Sequence, residues 1–491
     1  MLFGEQSLMK LRFKFLEISL IVALCFSCQK KIEETKDIIA RIDGQNITIK
    51  DFRLFYELDP NFGIDSTGYA ALLDELYKFI DQKSSYRKAQ QTGLTQDSLF
   101  IRAKKWEQQQ AMLRQLYREK VEKKIEINKQ ELRDAFLKSN IELHVRHLFT
   151  PDPEQAQKLY NQLQAGASLE ALASRVFEDT SLAANGGDLG WIKAGDLDDN
   201  FAEAALGLDK NEISKPVRTQ WGYHIIQLLD RKDQVMLSEA EFDAQKESLR
   251  KKIKMKKSQR LANQYIASFM KDLNPQPVPH NFRLLWNAVV PQSEHEKSVL
   301  SFNIMFTSEL INNALNTLQP YLDKALIRYM GGEVTIREYL KAILQIPVSN
   351  RPRFKTRNQF SNQIGIWIRD KLLFEEAQRN RLDRDSKVQS DVQEFIEQQS
   401  YLYFLKMELD QINIPEPVKD YFKNKKGKKN SKLSRFQNIN KWSWNRAEKN
   451  LRESLKSINA EIEIDYKKLV EESKTIDWDK RIRMFVVKKP S

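Results

Sequence analysis

The sequence predicts an α+β protein, mainly helical lobes with a small antiparallel sheet inserted between two of the helices. Three observations lead there. Apolar residues at helical spacing, on a background with 30% charged residues, run through most of the 491-residue chain. The segment 141–230 instead mixes short β-branched runs with a glycine-rich loop. Finally, two blocks near the start of the chain return at a shift of 287–288 residues without that segment between them.

The chain is too long for one core and predicts roughly three units. A hydrophobic fraction of 41% fits a folded, helix-rich chain, and the net charge of +13 leaves nucleic acid, an anionic membrane surface or acidic polypeptides as partners. Nucleic acid ranks last. The basic run 250–257 directly follows Glu239, Glu241, Asp243 and Glu247, which reads as a solvated helix face, and the acid-free run Lys423 to Lys432 reads as a loop with no nucleic-acid motif beside it. The only cysteines are Cys25 and Cys28, so the folded part has neither a disulfide framework nor a zinc site.

The first thirty residues carry a basic stretch from Met9 to Lys14, an apolar run from Ile18 to Phe26, and then Ser27-Cys28. The run falls short of the roughly 20 residues a spanning helix needs, so 1–28 reads as a secretory signal. Its end resembles a bacterial lipobox, with Cys25 where leucine usually stands. That resemblance implies a lipid on Cys28 and a stable anchor if several acyl chains are attached.

From 36 to 140 a helical lobe is expected. Ile38 to Ile49 reads as two short strands across an Asp-Gly turn, with Thr48 and Asp51 capping a helix. Leu73, Leu76, Ile80, Leu113, Leu116 and Val121 mark buried faces of the helices that follow. The region 233–274, mostly one long amphipathic helix from Ser238 to Leu273, is expected to return and complete this lobe.

Within 141–232 the expected order is a strand (142–148), helices (154–165 and 168–176), a glycine-rich loop, a helix (200–205) and strands near Val217 and at 224–229. Three pieces stand out: Val145-Arg146-His147-Leu148-Phe149, Gly186-Gly187-Asp188-Leu189-Gly190-Trp191 and Trp221-Gly222-Tyr223-His224-Ile225-Ile226. Together they resemble the parvulin family of peptidyl-prolyl isomerases, and the lobe that precedes them is similar to that of SurA-like and PrsA-like foldases. The resemblance implies a small sheet wrapped by helices that rotates X-Pro bonds, whose unaided barrier is roughly 18–20 kcal/mol. No covalent bond breaks, so the chemistry calls for no nucleophile, metal or other cofactor. It needs an apolar grip on the proline ring and a site that favours the twisted amide.

Carried onto this chain, the resemblance makes His147 and His224 a hydrogen-bonded pair joined to the hydroxyl of Thr219. It places Asp179 or Thr180, with Asp179 preferred, opposite the substrate carbonyl. The proline pocket falls at Leu197, Phe201 and Leu206, with Trp191 and Ile192 nearby. Ile192 and Leu206 stand where the family often has aromatics. His144 is expected to lie on the other side of the strand from His147.

Beyond Leu273, residues 275–325 read as a proline-rich linker and helical connector. From 326 a second lobe begins. Leu326 to Tyr339 parallels Ile39 to Phe52 at a shift of 287, and Glu376 to Ser386 parallels Lys88 to Ser98 at 288. Pro417 to Phe422 matches Glu131 to Phe136, so 326–491 is expected to be a degenerate second copy without the isomerase insert, ending in a helix near 444–458 and a strand at 461–464. Trp367, Tyr401, Tyr403, Phe404, Trp442 and Trp444 are its candidates for a client-binding surface.

The resemblance thus implies a peptidyl-prolyl isomerase and chaperone for unfolded or nascent exported polypeptides with X-Pro segments. It would sit outside the cytoplasm, lipid-anchored at the periplasmic face of a bacterial outer membrane. A second reading stays open, in which the parvulin fold is a non-catalytic scaffold in an envelope assembly or secretion complex.

Overall fold

The computed structural model describes residues 37–59, 62–63, 66–233, 238–416, 432–458 and 461–478. The signal segment, Cys28 and the match at 417–422 lie outside them. Among the described residues no helix is long and apolar enough to cross a membrane.

Strands β1 (Ile38–Ile42) and β2 (Gln45–Thr48) form a hairpin. Its two turn residues, Asp43 and Gly44, both adopt positive φ (45° and 78°), the conformation that matches the twist of paired strands. The hydroxyl of Thr48 accepts from the Asp51 amide at 3.1 Å and opens α1 (Ile49–Leu58). Helices α2 (Gly68–Gln91), α3 (Ser98–Lys120) and α4 (Lys129–Ser139) follow. Next come β3 (Ile141–Thr150), α5 (Pro153–Gln164), α6 (Leu169–Val176), α7 (Thr180–Ala184), β4 (Asp188–Lys193), α8 (Asp199–Leu206), β5 (Val217–Arg218) and β6 (Tyr223–Asp233). The chain continues through α9 (Glu239–Leu273), β7 (Gln276–Pro277), α10 (Pro279–Val289), β8 (Val299–Met305), α11 (Ser308–Thr317), β9 (Ala325–Tyr329), β10 (Gly332–Thr335) and α12 (Ile336–Gln345). It ends with β11 (Arg353–Thr356), α13 (Arg357–Arg379), α14 (Ser386–Asp410), α15 (Lys432–Leu455), β12 (Ile462–Ile464) and α16 (Tyr466–Thr475).

The described residues fall into two compact units, one made of 37–113, 279–326 and 334–478, the other of 114–278 and 327–333. The repeat seen in the sequence is a repeat of structure. β9, β10 and α12 begin and end 287 residues after β1, β2 and α1, and α14 begins 288 residues after α3. Core positions keep their burial: Ile39 and Leu326, Ile47 and Val334, and Phe52 and Tyr339 are all at most 1% exposed.

The two hairpins are each extended by a strand that follows the long helix of the other copy. β12 pairs with β1 through Ala40↔Ile464, Arg41↔Glu463 and Ile42↔Ile462. At the equivalent places β7 pairs with β9 through Pro277↔Ile327 and Gln276↔Arg328. The helix after each added strand then packs inward. Leu469 of α16 is fully buried in the core of β1, β2, α1 and α2, and Glu472 takes 2.7 Å bonds from Arg53 and a 2.6 Å bond from Tyr56. In the other copy Leu285 and Trp286 of α10 are fully buried, with Trp286 against Phe354 and Phe360.

The core of β1, β2, α1 and α2 is closed by the C-terminal strand and helix, and α9 packs on α4 at the end of 36–140, Phe242 edge-on to Phe136 at 5.5 Å with Leu132 and Leu249 beside them. Residues 275–325 hold two helices and short strands of their own. Pro277 sits in a strand two residues long, and Pro279 begins a helix, where its missing N–H costs nothing.

In the second unit the sheet order is β4-β3-β6-β5, all antiparallel. One face carries Leu143, Val145, Ile226 and Leu228 under Phe201 and Ala205 of α8. The other carries Leu148 and Ile225 under α5 and α6, with Leu159, Leu163, Leu169 and Leu172. β4 replaces the expected glycine-rich loop: Gly186 and Gly187, at φ 71° and 76°, make the turn and the following six residues pair with β3. Lysines of α9 reach the same domain, Lys252 to Asp196 and Lys256 to Asp199, each at 2.8 Å.

Candidate active site

β3 and β6 are central neighbours, and their register sets His224 opposite Phe149, two residues beyond His147 on the same face. The two imidazoles meet Nδ1 to Nδ1 at 3.0 Å, nearly parallel at an interplanar angle of 12°. The Nε2 of His224 lies 3.0 Å from the hydroxyl of Thr219, which also accepts from the Trp221 amide at 3.1 Å. Both histidines are 9% exposed. Burial, helped by the neighbouring His224, pushes His147 down to about 4. Burial also lowers His224, opposed by the negative charge of Asp198. Both rings are therefore neutral near pH 7. In a neutral pair one Nδ1 must donate and the other accept, so the direction of that bond sets both tautomers and with them whether His224 Nε2 donates to the Thr219 hydroxyl or accepts from it.

Two glycines hold this geometry. A Cβ on Gly187 would stand 2.1 Å from the carbonyl oxygen of His147, whose amide donates to the Gly187 carbonyl at 2.9 Å. A Cβ on Gly222, at φ 147°, would lie 2.7 Å from the Thr150 carbonyl oxygen. Only glycine lets these loops approach the strand that carries His147.

Aromatic rings enclose the pair. Phe201 stands edge-on, 5.9 Å from His147 and 5.3 Å from His224. Phe177 lies 5.4 Å from His147 and Phe149 5.0 Å from His224. Sequence reasoning passed over both. Phe149 was findable, being two residues from His147 on one strand face; Phe177 follows a helix and carries no local signal.

Leu197 and Leu206 pack on the same apolar cluster as Phe201, and Ile192 pairs with Leu143 on that face. Trp191 does not join them. It pairs with His144, their rings 5.3 Å apart, under the Lys232 ammonium at 3.7 Å, and strand alternation puts this cluster on the opposite side of the sheet. His144 in turn bonds Asp188 at 3.0 Å. Asp179 is exposed at the N-cap of α7, where one oxygen accepts from the amides of Ser181 and Leu182 at 2.8 and 3.0 Å; Thr180 is the first residue of that helix.

A buried neutral histidine pair against an apolar floor suits a reaction in which bonds rotate but do not break. Residues 153–230 match the family model of the rotamase, PPIC-type PPIase domain. The chain contains a parvulin-type isomerase domain. Over 121 residues it is 40% identical to foldase protein PrsA 1 of Bacillus cereus, a match covering 24% of this chain and 42% of that protein. Over 106 residues it is 45% identical to chaperone SurA of Methylobacillus flagellatus, covering 20% and 24%. The chain thus spans less than half the length of either relative. A crystal structure of a PpiC-type peptidyl-prolyl cis-trans isomerase domain aligns over 99% of its length and 20% of this chain, at 27% identity and a TM-score of 0.19. The mainly helical architecture with small antiparallel sheets and the parvulin domain agree with the sequence expectation.

Proposed function

We propose that this chain is a peptidyl-prolyl cis-trans isomerase and a chaperone acting on unfolded, exported polypeptides. The observation that carries the isomerase reading is the neutral His147–His224–Thr219 chain held against Phe201. In this reading Leu197, Phe201, Leu206 and Ile192 receive the proline ring. The histidine pair keeps the floor of the site rigid and uncharged, and Asp179 faces the substrate carbonyl. A planar amide loses its resonance as it twists, and an apolar, water-poor floor favours that less polar state. The expected acceleration comes from this preference and from fixed orientation, with no proton leaving the enzyme.

The chaperone part draws on the two relatives, a foldase and a chaperone, and on the duplicated helical lobe. We further assign Cys28 as a lipid attachment site and place the protein outside the cytoplasm, tethered to the periplasmic face of an outer membrane. The motif at 1–28 supports this.

The test is catalysis of cis-to-trans rotation in a short X-Pro peptide by the full chain. His147→Ala and Asp179→Ala should each lower the rate at least tenfold. A folded wild-type chain with no rate above background would instead favour the non-catalytic scaffold. Partitioning into detergent that is lost in Cys28→Ala supports the anchor; partitioning that survives rejects it.

A further inference from the structure

In the first unit a groove of about 520 Å³ runs between the end of α2, the start of α3 and the last turns of α14. Its floor is Phe404, 6% exposed, with the Lys88 ammonium 4.8 Å above the ring and held to Ser454 at 3.1 Å. Its rim is apolar and open: Leu99 is 66% exposed, Tyr403 47% and Met407 45%.

The duplication supplies an internal control for what the fold itself requires. At a shift of 288 residues the structural positions keep their character. Ala89 and Ala377 are both fully buried, Leu94 matches Leu382, and Leu116 matches Phe404. Asp97 and Asp385 each place a carboxylate oxygen 2.8 Å from the amide two residues on. The rim positions do not keep theirs. Leu99 matches Lys387, Tyr403 matches Gln115, and Met407 matches Glu119. The matching places are polar, Lys387 in the second copy and, in the first, the buried Gln115 and the half-buried Glu119, so the shared frame does not require the exposure of Leu99, Tyr403 and Met407, which serves something outside the fold.

The occupant follows from size and charge. About 520 Å³ takes a few large side chains, within the usual range for ligand clefts. A stable contact with a second copy would need roughly 1,200–2,000 Å² of buried surface. Lys88 is offset at the groove by Asp97 and Glu408, so a polyanion gains nothing there. Methionine and tyrosine on the rim adapt to varied apolar shapes. We propose that this groove docks an extended, uncharged apolar segment of an unfolded polypeptide, seating its side chains on Phe404 between Leu99, Tyr403 and Met407. The assignment rests on the chaperone reading and names the surface that performs it.

The experiment exchanges the rim for the residues of the matching positions, in the full-length variant Leu99→Lys, Tyr403→Gln, Met407→Glu. Reduced, carboxymethylated α-lactalbumin, which stays unfolded, serves as the binding probe. Its affinity should fall at least fivefold, while the X-Pro rotation rate and the melting temperature stay at wild-type values. A photo-crosslinker at position 403 should label the probe, and one at exposed Leu54 should not. Unchanged affinity in the exchange variant, or a crosslink to a second copy of this chain, overturns the groove. If the triple variant loses helix content, the single Tyr403→Gln change and the crosslink decide. If the wild-type chain binds no unfolded protein, the chaperone reading fails, and crosslinking of a short apolar peptide at position 403 then decides the groove alone.

Discussion

The two copies of the helical lobe share one frame and differ in what the frame is asked to do. In the first, α4 and α9 flank the parvulin domain in sequence and pack on each other. In the second, the end of α14 exposes Tyr403 and Met407 beside Leu99. Both hairpins are finished by a strand drawn from beyond the other copy's long helix, β12 on β1 and β7 on β9. The comparison teaches that neither lobe is a closed product of its own stretch of chain. A core assembled from residues more than 400 positions apart, such as Arg53 and Glu472, can form only after the whole chain is present.

The reciprocal exchange is the sharpest place to test this. Leu469→Ala and Leu285→Ala remove fully buried side chains at the ends of the two exchanged segments. Each should cost about 2–5 kcal/mol. Denaturant titration should show comparable losses for both, and a negligible loss for either would mean its lobe is complete without the exchanged helix.

Next in size is the parvulin domain itself. Gly187→Ala drives a methyl into the His147 carbonyl, and the strand must shift. The X-Pro rotation rate should drop more than tenfold, with unfolded-protein binding unaffected; equal loss of both would mean that the domain and the lobes are not separable.

The domain also carries a pH signature of its own. His147 is held near 4 in the fold and returns to its ordinary value near 6.5 on unfolding. The unfolded state therefore takes up the proton first as pH falls. Its stability should be level above about pH 6.5 and decline between 6.5 and 4, by roughly 1–3 kcal/mol. His147→Asn should flatten that slope, measured by denaturant titration at a series of pH values.

The smallest effect separates the copies at a single core position. Phe52 in one copy is matched by Tyr339 in the other, whose hydroxyl is buried without a partner. Tyr339→Phe should raise stability by about 1 kcal/mol. A loss would show that the hydroxyl serves a role the first copy does not need.

Much of this was legible beforehand because it is governed by short-range rules. The Asp43-Gly44 turn, the Thr48 cap, the long helix that starts at Ser238 and the offset of 287 residues are properties of neighbouring residues or of direct comparison. The histidine pair was legible through the wording around His147 and His224. β4 was missed because two glycines dominate its approach, although the residues after them alternate as a strand does. Trp191 and Ile192 were both expected near the pocket, yet adjacent residues of a strand face opposite ways, and only Ile192 shares the face of Phe201.

What the sequence by itself determined is most of the local elements: hairpins, caps, helices, and the residue types that make a neutral, apolar floor. What only the tertiary structure decided is which distant strand extends each hairpin, which face of the sheet a side chain meets, and which aromatics are left open. Backbone hydrogen bonds between strands carry no record of sequence distance. Of the aromatics picked out beforehand, Tyr401 and Phe404 became core, Trp367 packs on Tyr339, and Tyr403 stayed in solvent, because burial depends on what the rest of the chain brings to each helix face.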